Sequence, residues 1–147
     1  MVRAFFDTNI FLYIYSSADR RKQAHALELY REHAQEGRML LSTQVVQEFI
    51  VAALRKLQLP PQRVHEVALT LLDSPLVVIE APHIRAALDK ADQYKISFWD
   101  ALIIAAAESG GAEVLYTEDL NDGQQYGAVI ARNPFRVVNP DSTIPLS

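Results

Sequence analysis

Arg3-Ala4-Phe5-Phe6-Asp7-Thr8-Asn9-Ile10 begins as a short apolar run and stops abruptly at an acid. It reads as a buried strand ending in a carboxylate. Asp, Thr and Asn all favour helix N-termini, so a turn or helix is expected directly behind it. Outward from this stretch, a helix capped by Asp19 and closed by Gly37 carries Leu27, Tyr30 and Ala34 as its inward stripe. Met39-Leu40-Leu41 reads as a second strand. Ser42-Thr43 then offers N-caps to a helix with Val45, Val46, Phe49, Ile50, Ala53, Leu54 and Leu57 apolar, stopped by Pro60-Pro61. Val64, Val67, Ala68, Leu71 and Leu72 follow at helical spacing, before the β-branched run Val77-Val78-Ile79. Ile84, Ala87, Leu88 and Ala91 form a further helical stripe.

The segment from Ser97 to Glu108 is apolar on nearly every side, which suits a helix covered on several faces, or partly covered by a second subunit. Gly110-Gly111 closes it, Glu113 to Tyr116 reads as another strand, and Arg136-Val137-Val138 as a last one before a Pro-rich tail. Strands alternating with single helices or helix pairs predict an α/β fold with a central parallel sheet and helices on both faces.

The composition agrees. At 147 residues, half of them apolar, the chain suits one domain spanning 1–147 with a sizeable core. No cysteine is present, which excludes disulfides, thiolate metal sites and cysteine nucleophiles. The N-terminus lacks the pattern of a signal peptide, and Ala101 to Ala107 falls far short of the ~20 residues that span a bilayer. A cytoplasmic protein is expected.

Several chemistries are missing. None of the five glycines builds a nucleophile elbow, a P-loop or a dinucleotide-binding turn. His25, His33, His65 and His83 lack zinc-ligand spacing and read as surface or boundary residues. What remains is carboxylate. Asp7 follows the first strand, Glu48 lies one to two turns into the helix after the second, and Asp100 opens the apolar helix. Glu118 and Asp119 follow the strand that ends at Tyr116. Ligands of open α/β sheets gather outside the carboxyl ends of the strands, so these acids can share one edge. Acids that meet repel one another, and a divalent cation resolves the conflict; all-oxygen ligands favour Mg²⁺ or Mn²⁺. Such an ion activates water against a phosphodiester.

Each acid also has a plainer reading. Asp7 can simply cap a helix, Glu48 can be a solvated face residue, and Ser97-x-x-Asp100 has capping-box spacing. The run from Thr117 to Gly123 can be a polar turn, and it fails as an EF-hand because its register is off by one and the twelfth-position Glu is missing.

Taken together, four segments resemble the PIN domain, and specifically the VapC-type ribonuclease toxins of toxin–antitoxin pairs. They are Phe5-Phe6-Asp7-Thr8-Asn9-Ile10, the stretch from Ser42 to Phe49, the stretch from Ser97 to Ala107, and Leu115-Tyr116-Thr117-Glu118-Asp119-Leu120. The resemblance implies a three-layer α/β/α sandwich. It also implies that Asp7, Glu48, Asp100 and Asp119 are the catalytic, metal-ligating acids, with Asn9 and Thr117 as polar supports. Glu118 and Asp122 flank Asp119 and could share or replace its role. A Mg²⁺- or Mn²⁺-dependent endoribonuclease that forms homodimers and is blocked by an antitoxin is what the resemblance leads one to expect.

The formal charge of −4 does not oppose an RNA substrate: with the four acids set aside, 14 acidic residues face 14 basic ones. Arg20-Arg21-Lys22 and Arg55-Lys56 are the tight basic clusters, either solvated or forming a rim that steers phosphates. A phosphatase of the haloacid-dehalogenase type would need a second acid where Asn9 stands. A catalytically silent module that holds a metal or a partner is the rival of another class.

Overall fold

The computed structural model describes residues 2–138 and 145–146. Strand β1 (Ala4–Phe6) runs straight into α1 (Thr8–Ile14), followed by α2 (Arg20–Gln35) and β2 (Met39–Ser42). Helices α3 (Thr43–Arg55) and α4 (Pro61–Leu72) lead to β3 (Leu76–Val77), and α5 (Ala81–Tyr94) and α6 (Phe98–Ser109) lead to β4 (Val114–Tyr116). Strands β5 (Gln125–Tyr126) and β6 (Val129–Arg132) complete the main sheet, while β7 (Val137–Val138) and β8 (Pro145–Leu146) pair separately.

The main sheet has the order β3-β2-β1-β4-β6-β5 and is parallel except for the β5–β6 hairpin. The chain first builds leftward from β1 to β2 and β3, then crosses back to place β4 on the other side of β1. A crevice therefore opens at the carboxyl ends of β1 and β4, where the winding reverses and α/β proteins bind ligands.

Both faces of the sheet are covered, as a three-layer sandwich requires. On one face Phe6 stacks edge-on against His33 of α2 and Tyr116 of β4, and Phe11 of α1 joins the group. On the other face lies Leu40, in register with Phe5 and close to Gly110 at the end of α6. A Cβ at Gly110 would run into Leu40, so the glycine lets α6 lie close against the sheet. Helix α6 runs antiparallel to the strands, since Arg3, just before β1, donates to the Gly110 carbonyl at its far end. Its first turn is thereby brought to the carboxyl edge.

The structure corrects several boundaries. Helix α3 ends at Arg55, well before the prolines; Gln58 takes a left-handed φ of 52°, and Pro61 instead starts α4. Only Val77 of the run from Val77 to Ile79 is in β3, Val78 is exposed, and the Ile79 N–H donates to Thr43 Oγ1. His33 is buried rather than at the surface or boundary, held by Nδ1 against the Leu29 carbonyl. Ala101 to Ala107 are all buried by the chain's own elements, while Trp99 in the first turn of α6 stays exposed. Residues 139–144 of the tail lie outside the described residues.

Candidate functional site

Asp7 is the N-cap of α1, with extended backbone (φ −72°, ψ 161°) that turns its carboxyl back over the helix start. Oδ1 accepts from the Thr8 N–H at 2.7 Å and Oδ2 from the Thr117 hydroxyl at 2.8 Å. The side chain is only 6% exposed. Burial disfavours its charged form and, with further repulsion from Asp119 and Glu48, pushes its pKa up to about 7 against the two hydrogen bonds.

Thr117 follows β4 directly, and its oxygen also accepts the Asp119 N–H at 3.1 Å. One hydroxyl thus couples the acid after β1 to the backbone of the acid after β4. Asn9 Nδ2 donates to Asp119 Oδ2 at 3.1 Å. The Asp119 pKa is raised, first by partial desolvation of a carboxyl that faces the pocket and then by Asp100, Glu118 and Glu48, with the Asn9 bond opposing.

Glu48 sits on α3, which starts as soon as β2 ends because Ser42 Oγ accepts the Val45 N–H. The Thr8 hydroxyl donates to Glu48 Oε1 at 2.8 Å and Gln44 Nε2 to Oε2 at 3.5 Å. Asp100 enters from the first turn of α6, where Ser97 Oγ accepts its N–H at 3.1 Å. The capping role expected of Ser97 is real and coexists with an Asp100 side chain that lines a pocket.

All four acids line one pocket of about 200 Å³, together with Thr8, Asn9, Gln44, Lys56 and Trp99. Asp7, Glu48 and Asp119 are tied to neighbouring donors rather than drawn onto a common point with Asp100: among the described residues, no three acidic or histidine side chains are gathered tightly enough to hold a metal ion. The donor set is nevertheless all oxygen and crowded with like charge, the environment that a hard divalent cation relieves.

The PIN domain family model matches residues 4–123, which include all four acids and every strand from β1 to β4. The chain belongs to the PIN domain family. Among solved structures, this PIN domain resembles a toxin–antitoxin complex from Klebsiella pneumoniae, at 26% identity and a TM-score of 0.65, covering 90% of this chain and 98% of that one. In fold it also resembles VapC20 of Mycobacterium tuberculosis, a sarcin–ricin loop cleaving toxin (21% identity, TM-score 0.62, 79% and 89% covered). A third is DNA-bound VapBC from Salmonella typhimurium (18% identity, TM-score 0.65, 90% and 98% covered). No curated protein sequence gives a match.

Within this PIN domain the two acids flanking Asp119 are occupied elsewhere. Glu118 receives the Tyr13 hydroxyl at 2.6 Å and pairs with Lys22 at 2.6 Å. Asp122 accepts the Asn133 N–H at 2.8 Å. Neither lines the pocket. Lys22 is therefore committed to a structural pair, whereas Lys56 of the second basic cluster borders the acids.

The sequence reading missed Gln44, the Thr8 contact and the place of Trp99. The available signal was a four-residue period: Gln44, Glu48, Ala52 and Lys56 form one stripe along α3, and all four line the pocket.

Proposed function

We propose that this PIN domain is a Mg²⁺- or Mn²⁺-dependent endoribonuclease and the toxin of a toxin–antitoxin pair. One observation carries the reading: four carboxylates share a single pocket at the reversal of the sheet with one cationic side chain, Lys56. Asp7, Asp100 and Asp119 would hold the ion, and Glu48 either joins them or orients the attacking water. Bound there, Mg²⁺ or Mn²⁺ supplies polarisation of the phosphoryl oxygen and a nucleophilic water near neutral pH.

The chain's own residues do the positioning. Thr117 fixes Asp7 and the Asp119 backbone, Asn9 fixes the Asp119 carboxyl, and Thr8 with Gln44 fixes Glu48. So held, Glu48 is placed to accept the proton that the water loses as it attacks phosphorus. Lys56 offers a cation to a neighbouring phosphate of the strand. Attack by water rather than by the ribose 2′-hydroxyl leaves a 5′-phosphate and a 3′-hydroxyl.

An RNA substrate and an antitoxin partner are supported by similarity to a toxin–antitoxin complex and to a toxin that cleaves the sarcin–ricin loop. A homodimer and a cytoplasmic location belong to the same reading. Among the described residues no helix is long and apolar enough to cross a membrane.

The decisive experiment incubates RNA with purified protein and Mg²⁺ or Mn²⁺. Cleavage should stop with EDTA and in Asp7→Asn and Asp100→Asn; cleavage that survives these changes would refute the mechanism. The alternative, a silent module that holds a partner in the pocket, is favoured by the spacing of the carboxylates, which are not drawn together as a closed ligand set. RNA binding without turnover under every metal condition would select it.

A further inference from the structure

Trp99 is the only tryptophan in the chain, and its side chain is left 61% exposed beside the acidic pocket. It stands at the junction of that pocket and a second groove of about 500 Å³, which is lined chiefly by apolar surface from Val51, Ala52 and Trp99. Arg55 and Lys56 border this groove as well. A flat aromatic face, apolar walls and two cations provide both halves of a nucleotide's chemistry: a π-surface for the base and positive charge for the phosphate.

Gln44 is a buried polar side chain shared by the two cavities. It is only 4% exposed, and its Oε1 accepts no hydrogen bond. The amide cannot turn over to cure this. Its nitrogen donates to Glu48 Oε2 at 3.5 Å and to the Trp99 carbonyl at 3.3 Å, and both partners are acceptors. A flipped amide would set oxygen against oxygen, so Oε1 is obliged to remain an unfilled acceptor.

We propose that this groove is a nucleobase subsite. An unpaired nucleotide next to the scissile phosphate stacks its base on Trp99, lies along the Gln44 edge of the groove, and sets a phosphate against Lys56 or Arg55. The proposal rests on the ribonuclease reading and deepens it: the substrate is single-stranded at the cut, because a paired base has no free face to stack. Trp99 is a positioning residue, since the reacting atoms lie with the acids.

The test reads the fluorescence of Trp99 in the full chain, with EDTA present to prevent cleavage. An unstructured oligoribonucleotide should quench it saturably, and an abasic oligomer of equal length and charge should quench it far less. Equal quenching by the two would overturn the base site. With Mg²⁺ or Mn²⁺, Trp99→Ala should raise KM roughly 5- to 100-fold, the span expected for base–aromatic stacking, with kcat nearly unchanged. Trp99→Phe, which keeps a flat ring, should recover most of the loss. Quenching without cleavage would sink the ribonuclease reading but keep this subsite. Cleavage with no quenching and an unaltered KM in Trp99→Ala would do the reverse. If Trp99→Ala leaves RNA cleavage untouched but abolishes binding of a purified antitoxin, the groove belongs to a protein partner and the proposal falls.

Discussion

The Thr117 hydroxyl donates to Asp7 Oδ2 at 2.8 Å across 110 residues of chain, and the same oxygen accepts the Asp119 N–H. Replacing it by Val removes both bonds while keeping the shape. Thr117→Val should lower stability by about 1–3 kcal/mol, because a buried acceptor loses its partner. Activity should fall about 10- to 100-fold, as for other groups that orient metal ligands. The pH profile should also move upward, since Thr117 is the largest influence lowering the Asp7 pKa. Chemical denaturation and a pH–rate series check the three together.

Asp7 makes metal-free stability depend on pH. Its pKa is about 7 when folded against an ordinary 3.8, so between those values the native state holds a proton that the unfolded chain has released. The Asp7 contribution to stability is fully present below about pH 4 and is lost as the pH rises through 7, by about 4 kcal/mol for a shift of roughly three units. Asp7→Asn, which can still accept from Thr8 and meet Thr117, should flatten this fall. In EDTA it should be more stable than the parent at pH 8 and hardly different at pH 4. A mutant less stable than the parent at pH 8 would contradict the assignment.

Divalent ions should undo the same penalty. Mg²⁺ or Mn²⁺ at about a hundred times its Kd should add about 2.7 kcal/mol of stability. At one fixed ion concentration the gain should be larger at pH 8 than at pH 6, because protons compete for Asp7. Thermal unfolding of the parent and of Asp100→Asn separates this from a general salt effect, and only the parent should respond strongly.

Glu118 and Asp119 are adjacent in sequence yet should behave oppositely. Asp119→Asn should abolish cleavage with little effect on folding. Glu118→Gln weakens only the Lys22 and Tyr13 network and should cost about 1 kcal/mol of stability while leaving kcat nearly intact.

Gly110→Ala tests the close seating of α6. The added methyl meets Leu40 and Val77 and should destabilise by about 1–3 kcal/mol through overpacking. Activity per folded molecule should persist.

Much of this architecture was legible because its signals are local. The apolar run from Ala4 to Phe6, the Asp19 and Ser42 caps and the helical stripes each depend on a few neighbouring residues, and the observed elements lie where those patterns stand. The acids could be nominated because Asp7 and Asp119 follow strands, Asp100 opens a helix, and Glu48 lies early in the helix behind a strand. The β5–β6 hairpin escaped notice because β5 is only Gln125–Tyr126, too short and too polar to mark a partner for β6. The Pro60-Pro61 boundary misled because Pro61 suits the first turn of a helix as well as it ends one. His33, the partners of Glu118 and the orphaned Gln44 oxygen depend on long-range contacts, which no local pattern encodes.

The insertion of β1 between β2 and β4 also bears on the order in which the molecule comes to life. Asp7 and Glu48 leave the ribosome early, but Asp100 and Asp119 are made much later, and Asp119 reaches the pocket only once β4 pairs beside β1. A half-synthesised chain holds an incomplete set of acids. Under the proposed ribonuclease reading, activity can therefore arise only after Asp119 has been made and β4 has paired.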